Sequence, residues 1–124
     1  MLKISQLVKR YGNGAPVLKG LDLEVPGDSV VSIIGASGAG KSTLLRCINR
    51  LVEPSSGSIE LNGLMLTDLK GARLRAARRR IGMIFQSFNL VDRLTVMENV
   101  QSGRLGYLPL WRAAMRRYPR EDIR

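Results

Sequence analysis

The stretch Gly35-Ala36-Ser37-Gly38-Ala39-Gly40-Lys41-Ser42-Thr43 gathers three glycines, one lysine and three hydroxyls into nine consecutive residues. That combination suits one task, which is wrapping several negative oxygens in backbone N–H groups. Gly35, Gly38 and Gly40 let the chain make tight, partly left-handed turns and approach phosphates with no Cβ in the way. Successive amides through Ser37, Gly38, Ala39 and Gly40 then form an anion nest, and a helix beginning at Lys41 adds the positive end of its dipole. Lys41 supplies a point charge to the β- and γ-phosphates, Ser42 a hydroxyl for Mg²⁺, and Thr43 a group near the α-phosphate. The expected ligand is ATP with Mg²⁺. A glycine-rich turn with an exposed lysine is the bland alternative, and the flanking elements argue against it.

Those elements read as follows. Ser29 to Ile34 is a β-branched run without alternation, the pattern of a strand buried on both faces, and it leads straight into the glycines. The helix from Lys41 carries Leu44, Leu45, Ile48, Leu51 and Val52 on one face, with Arg46, Asn49 and Arg50 on the other. Cys47 lies beside the apolar face and reads as packing. Pro54 to Gly57 stops the helix. Ahead of the loop, Leu2 to Tyr11 and Val17 to Val25 read as an antiparallel strand pair. In the second of these, Val17, Leu21, Leu23 and Val25 point to one side. Beyond it, Gly57 to Leu61 and Leu64 to Leu66 flank Asn62-Gly63, a strong hairpin signal. Leu69 to Arg80 is a helix candidate with a weak apolar face of Leu69, Ala72 and Ala76. Ile81 to Phe85 reads as a second buried strand ending at Gln86. Thr95 to Ser102 is a helix opened by a Thr95/Glu98 capping box. Leu108 to Arg117 reads as a short helix around Trp111, and Pro119 to Asp122 as the start of another.

Composition bounds the class. The chain has 124 residues, the size of one domain, and 44% hydrophobic content, which excludes disordered and collagen-like readings. No apolar run nears the ~20 residues of a membrane helix, and the opening residues are not expected to be a secretory signal. One cysteine excludes an internal disulfide and favours a reducing setting. The formal charge of +10 favours polyanions. It concentrates at Lys70, Arg73, Arg75 and Arg78–Arg80 and again between Arg112 and Arg124, where a solvated face is the simplest reading.

Two residues outside the loop stay open on their own terms. Tyr11, at the end of the first strand, suits either packing or stacking on a purine. Gln86 alone is an unremarkable strand end.

Taken in order, Tyr11, the Gly35–Thr43 loop, Glu53-Pro54-Ser55-Ser56-Gly57-Ser58-Ile59 and Ile81-Gly82-Met83-Ile84-Phe85-Gln86-Ser87-Phe88-Asn89-Leu90 resemble the N-terminal half of an ATP-binding-cassette (ABC) transporter ATPase. The stretch Asn99 to Gly106, with Trp111-Arg112 and Pro119 to Asp122, most resembles the ATPase of phosphonate importers. The resemblance implies an α/β fold, a P-loop NTPase (RecA-like) core with an N-terminal antiparallel β subdomain, truncated in the helical subdomain. Residues 1–28 would be the antiparallel part, 29–86 part of the core, and 87–124 the start of the helical subdomain.

It also implies roles. Tyr11 would stack under adenine and join Gly35, Ser37, Gly38, Ala39, Gly40, Lys41, Ser42 and Thr43 in holding the nucleotide. Gln86 would touch Mg²⁺ or the attacking water, sharing the metal with Ser42 and the catalytic work with Lys41. The surface from about Ser87 to Arg117 would receive a coupling helix of a membrane-spanning permease, and arginines there would face the leaflet. A second ATPase subunit would complete a homodimer at the cytoplasmic face of the inner membrane, in peripheral contact with it, and no specific nucleic acid is expected. The other readings are a kinase-like P-loop enzyme, which usually places its loop on the first strand, and a basic nucleic-acid-binding piece.

The family's later motifs are not found in these residues. There is no Gly-Gly pair, no apolar run leading into Asp-Glu, and no histidine. Removing a general base alone typically costs about 10²–10⁴ in rate, so negligible hydrolysis is expected of this chain alone. The resemblance further implies that the runs at 29–34 and 81–85 lack strand neighbours, which makes the chain a fragment or truncation of marginal stability.

Overall fold

Leu2–Lys9 forms strand β1 even though its side chains alternate only loosely, and a bulge is the reason. Gln6 takes a left-handed φ of 47°, and the ladders on both sides of β1 shift register around it. The extra residue resets the two-residue period, so Ile4 and Leu7 are both buried although three positions apart. The Gln6 backbone N–H and its side-chain amide both donate to the Asp22 carboxylate, which fastens the bulge to the neighbouring strand. The structure is a computed structural model and describes residues 1–87 and 89–108.

Asp22 lies on β2, Leu18–Val25; β3, Ser56–Leu61, and β4, Leu64–Met65, complete a four-stranded sheet of order β2-β1-β3-β4, antiparallel throughout. Asn62 and Gly63 join the last two strands with φ of 50° and 78°. This is the mirror-image turn whose twist suits a hairpin. Gly57 takes φ 88°, and a Cβ there would lie 2.3 Å from the Gln6 carbonyl oxygen. The bulge and this glycine therefore require each other.

Helix α1, Lys41–Ile48, follows the glycine loop, and α2, Gly71–Arg78, follows a short 3-10 turn at Leu66–Asp68. The buried apolar set is Ile4, Leu7, Leu18, Ile59, Leu66 and Leu69, with Leu44 and Cys47 from α1 and Ala77 from α2. The chain divides into two compact units, Met1–Arg78 and Arg79–Arg124. In the second, α3, Val96–Ser102, opens with Thr95 as N-cap, and the reciprocal Thr95/Glu98 capping box is present as the sequence predicts.

Several expectations need correcting. Ser29–Ile34 is not a strand: it makes no ladder, and Val30 and Ile34 are 98% and 92% exposed. The Ile81–Phe85 run likewise forms no strand, with Ile84 94% exposed. A strand buried on both faces needs partners on both edges, and no strand among the described residues supplies one. α1 ends before Leu51, and Leu45 and Leu51 are exposed, because its buried side is centred on Leu44 and Cys47. Asn49 and Arg50, placed on the polar face by periodicity, are buried where the chain leaves the helix. Val17 and Ala72 are exposed; Ala77 is the buried alanine of α2. The expected helices at Leu108–Arg117 and Pro119–Asp122, Leu108 itself apart, lie outside the described residues, as does Phe88.

The Gly57 geometry sets a graded test. Gly57→Ala, which combines a strained φ with a backbone clash, is expected to cost about 3 kcal/mol or more in urea unfolding. Gly63→Ala, where a Cβ would meet nothing within 4 Å, is expected to cost only about 1 kcal/mol of left-handed strain.

Candidate functional site

The glycine loop turns where its sequence says it must. Gly38 and Gly40 adopt φ of 79° and 90°, both left-handed, whereas Gly35 does not. Ala39 N–H donates to the Ala36 carbonyl at 3.2 Å and closes a tight turn within the loop. Gly40 is also the N-cap of α1, and a Cβ on it would lie 3.1 Å from Val17 Cγ1 and 3.2 Å from Leu18 Cδ2. The last glycine is thus needed for conformation and for close approach to the start of β2.

Lys41 leads α1, and its ammonium turns back over the loop. Nζ donates to the Gly35 carbonyl at 2.6 Å and the Ala36 carbonyl at 2.7 Å. A cation is therefore fixed inside the curve made by 35–40, next to the amides that begin α1. The first amides of a helix have no carbonyl partner within it, so this end presents donors and partial positive charge. Its first turn contains no acidic residue to offset that charge. Ser42 is exposed and Thr43 half-buried on the same turn. Taken together, the site offers a fixed ammonium, a hydroxyl and main-chain donors. It suits a multiply charged oxyanion.

Tyr11 sits where β1 turns toward β2. The Gly14 N–H donates to the Tyr11 carbonyl at 3.3 Å, and the Val17 N–H returns to the Lys9 carbonyl at 2.7 Å. The ring is half exposed, with the Lys9 ammonium 4.8 Å from its centroid. A cleft of about 510 Å³ is lined by Pro16, Val17, Leu18, Lys19 and Leu21 together with Gly38 and Ala39, so the second strand and the loop share a concave surface. Gln86 belongs to the second unit, where it is exposed in a turn.

Sequence reasoning missed the groups that brace the far end of α1. Arg50 has φ 57° and is 4% exposed; its guanidinium holds the Glu53 carboxylate with two N–H groups at 2.6 and 2.8 Å and also donates to the Leu66 carbonyl. Arg78, read as part of a solvated face, instead donates to the carbonyls of Asn49, at 3.0 Å, and Arg50. Lys9, the last residue of β1, escapes the sequence reading as well, although it stands only two residues before Tyr11. That spacing was the available signal.

Among the described residues, no group of three His, Cys, Asp or Glu side chains is placed to hold a metal. Of the loop residues, Ser42 is the one that could offer an oxygen to a magnesium ion held largely by the ligand's own phosphates, the mode that suits this reluctantly dehydrated ion. No helix among the described residues is long and apolar enough to cross a membrane.

Burial pushes the Cys47 thiol up from its ordinary range, with the Lys9 ammonium opposing and the Glu53 carboxylate reinforcing the shift. An acid held protonated in the fold stabilises it below the unfolded pKa, and that contribution is lost as pH rises toward the higher folded value. Unfolding free energy measured by urea titration is therefore expected to fall above about pH 8.5 more steeply in the wild type than in Cys47→Ala.

Comparison with known proteins fits this geometry. The family profile described as ABC transporter matches residues 18–123. The Phosphonates import ATP-binding protein PhnC 1 of Ruegeria sp. (strain TM1040) is 69% identical over 124 residues, all of this chain and 48% of the relative. A Phosphonates import ATP-binding protein PhnC of Nitratidesulfovibrio vulgaris is 57% identical over 98% of this chain and 46% of its own length. The chain spans about half the length of the curated relatives it matches. Among solved structures, the dimeric bacterial cassette MJ0796 superposes with a TM-score of 0.79 at 34% identity, covering 94% of this chain and 53% of the cassette. A dimeric post-hydrolysis state of the same cassette, bound to ADP and Pi, gives 0.78.

Proposed function

Because the chain belongs to the ABC transporter family, with the α/β P-loop fold of its ATPase cassettes, we propose that it is the nucleotide-binding part of an ABC importer ATPase. In this reading it binds Mg-ATP to energise uptake of phosphonates. The observation that carries the reading is Lys41 held over the carbonyls of Gly35 and Ala36, at the head of a helix whose preceding glycines are left-handed. Gly35, Ser37, Gly38, Ala39, Gly40, Lys41, Ser42 and Thr43 wrap the phosphates, and Tyr11 stacks on the base. Ser42 and Gln86 are assigned to Mg²⁺, and Lys41 and Gln86 to the reacting phosphate. The metal's chemistry is neutralisation of charge on the phosphate oxygens.

The remaining assignments follow the same reading. Residues 1–28 serve as the antiparallel part, 29–86 as part of the nucleotide core and 87–124 as the start of the helical part. A groove of about 350 Å³ on the second unit, lined by Leu90, Val91, Leu94, Val96 and Val100 beside Asp92 and Asn99, takes an apolar segment of a membrane-spanning permease. Asn99 shapes it: its side-chain oxygen accepts from the Val91 N–H, and the two hydrogens of its amide nitrogen are shared among the carbonyls of Val91, Leu94 and Thr95. A second ATPase subunit pairs with this one, and the assembly works at the cytoplasmic face of the membrane.

Calorimetry with Mg-ATP tests the reading. Wild type is expected to bind, Lys41→Ala to lose at least about tenfold in affinity through the missing charge-assisted bonds, and Tyr11→Ala to weaken binding by about 1–3 kcal/mol. Loss with the lysine variant and none with the tyrosine variant would point instead to a kinase-like enzyme.

A further inference from the structure

Lys9 makes two contacts that its position on a strand does not require. Its ammonium sits 4.8 Å from the centroid of the Tyr11 ring. The same Nζ donates to the Glu53 carbonyl at 2.7 Å. Glu53 is tied in turn by its carboxylate to Arg50, directly after the helix that Lys41 leads. Neighbouring bonds pin the strand end to the same segment. The Arg10 N–H donates to Ser55 Oγ at 3.0 Å, and the Ser55 N–H to the Val8 carbonyl at 2.8 Å.

An aromatic ring at a hairpin corner, half exposed, has rotational freedom that a stacking site must remove. A cation over one face attracts the ring's quadrupole and holds that face, leaving the opposite one for a flat partner. The cation is itself anchored to a carbonyl, so its position is set by Glu53 and not by solvent. Resting on the nucleotide reading above, we infer that Lys9 is a positioning residue for the base: it fixes the Tyr11 ring for purine stacking and ties that ring, through Glu53 and Arg50, to the rear of the helix that carries Lys41. Recognition of the base and of the phosphates would then share one brace.

The test separates ring positioning from simple charge. The full 124-residue chain is titrated by calorimetry with Mg-ATP and with magnesium tripolyphosphate, which has no base. Lys9→Met is expected to weaken ATP binding by about two- to fivefold, the scale of an exposed cation–π contact, and to leave tripolyphosphate binding unchanged. In a Tyr11→Ala background the same change is expected to add nothing, and Lys9→Arg to retain most of the affinity. A parallel loss of tripolyphosphate binding, or additive losses with Tyr11→Ala, would overturn the inference by making Lys9 a general attractor of anions. Absence of heat from both ligands with the wild type would defeat the nucleotide reading itself. The ring contact is read independently in ring-¹³C tyrosine spectra without ligand. There Lys9→Met is expected to move the signal that Tyr11→Phe removes, and an unmoved signal would refute the positioning role.

Discussion

The arrangement of the first unit depends on one backbone constraint, the left-handed turn at Gly40 pressed against Val17 and Leu18 where β2 begins. That turn ends the glycine loop and starts α1 in the same step. It aims the helix amides and the Lys41 ammonium back over the loop. It also fixes the loop to the hairpin whose corner carries Tyr11. A side chain at this position would force either the helix or the strand away. The three parts proposed to hold a nucleotide are thus set by one atom-scale contact and not by a large interface.

The rear of the same helix is braced differently. Where the front uses missing side chains, the rear uses Arg50, buried and turned left-handed, with its charge met by Glu53 and a carbonyl. Burying a guanidinium is costly unless its donors are satisfied, and here they are. Arg78 donates to the Asn49 and Arg50 carbonyls beside it. An eight-residue helix has little stability of its own, so fixed ends give it the rigidity that an anion site requires.

Much of this was legible in the sequence. The glycine loop, the Asn62-Gly63 hairpin and the Thr95 capping box each follow local rules that need no distant partner, and each stands where those rules put it. The failures share a cause. Ser29–Ile34 and Ile81–Phe85 have the composition of buried strands, but a ladder is a property of two strands, and none among the described residues pairs with them. Helical periodicity puts Arg50 in solvent, but the helix ends at Ile48 and Arg50 lies beyond it. β1 looked irregular because a bulge is invisible to a strict two-residue count, even though Gly57 and Asp22 were present to accommodate it. Of the three loop glycines, Gly38 and Gly40 are left-handed and Gly35 is not. Its part is to offer a carbonyl to Lys41.

In the proposed function the amides from Gly38 to Thr43, with the Lys41 ammonium, form a preset cradle for a polyphosphate. An amide ¹H–¹⁵N spectrum recorded while Mg-ATP is added tests it most directly. The largest shifts are expected on the Gly38–Thr43 amides, with those of β3 and β4 unmoved. Shifts spread evenly over the basic residues of α2, with the loop amides unchanged, would contradict it.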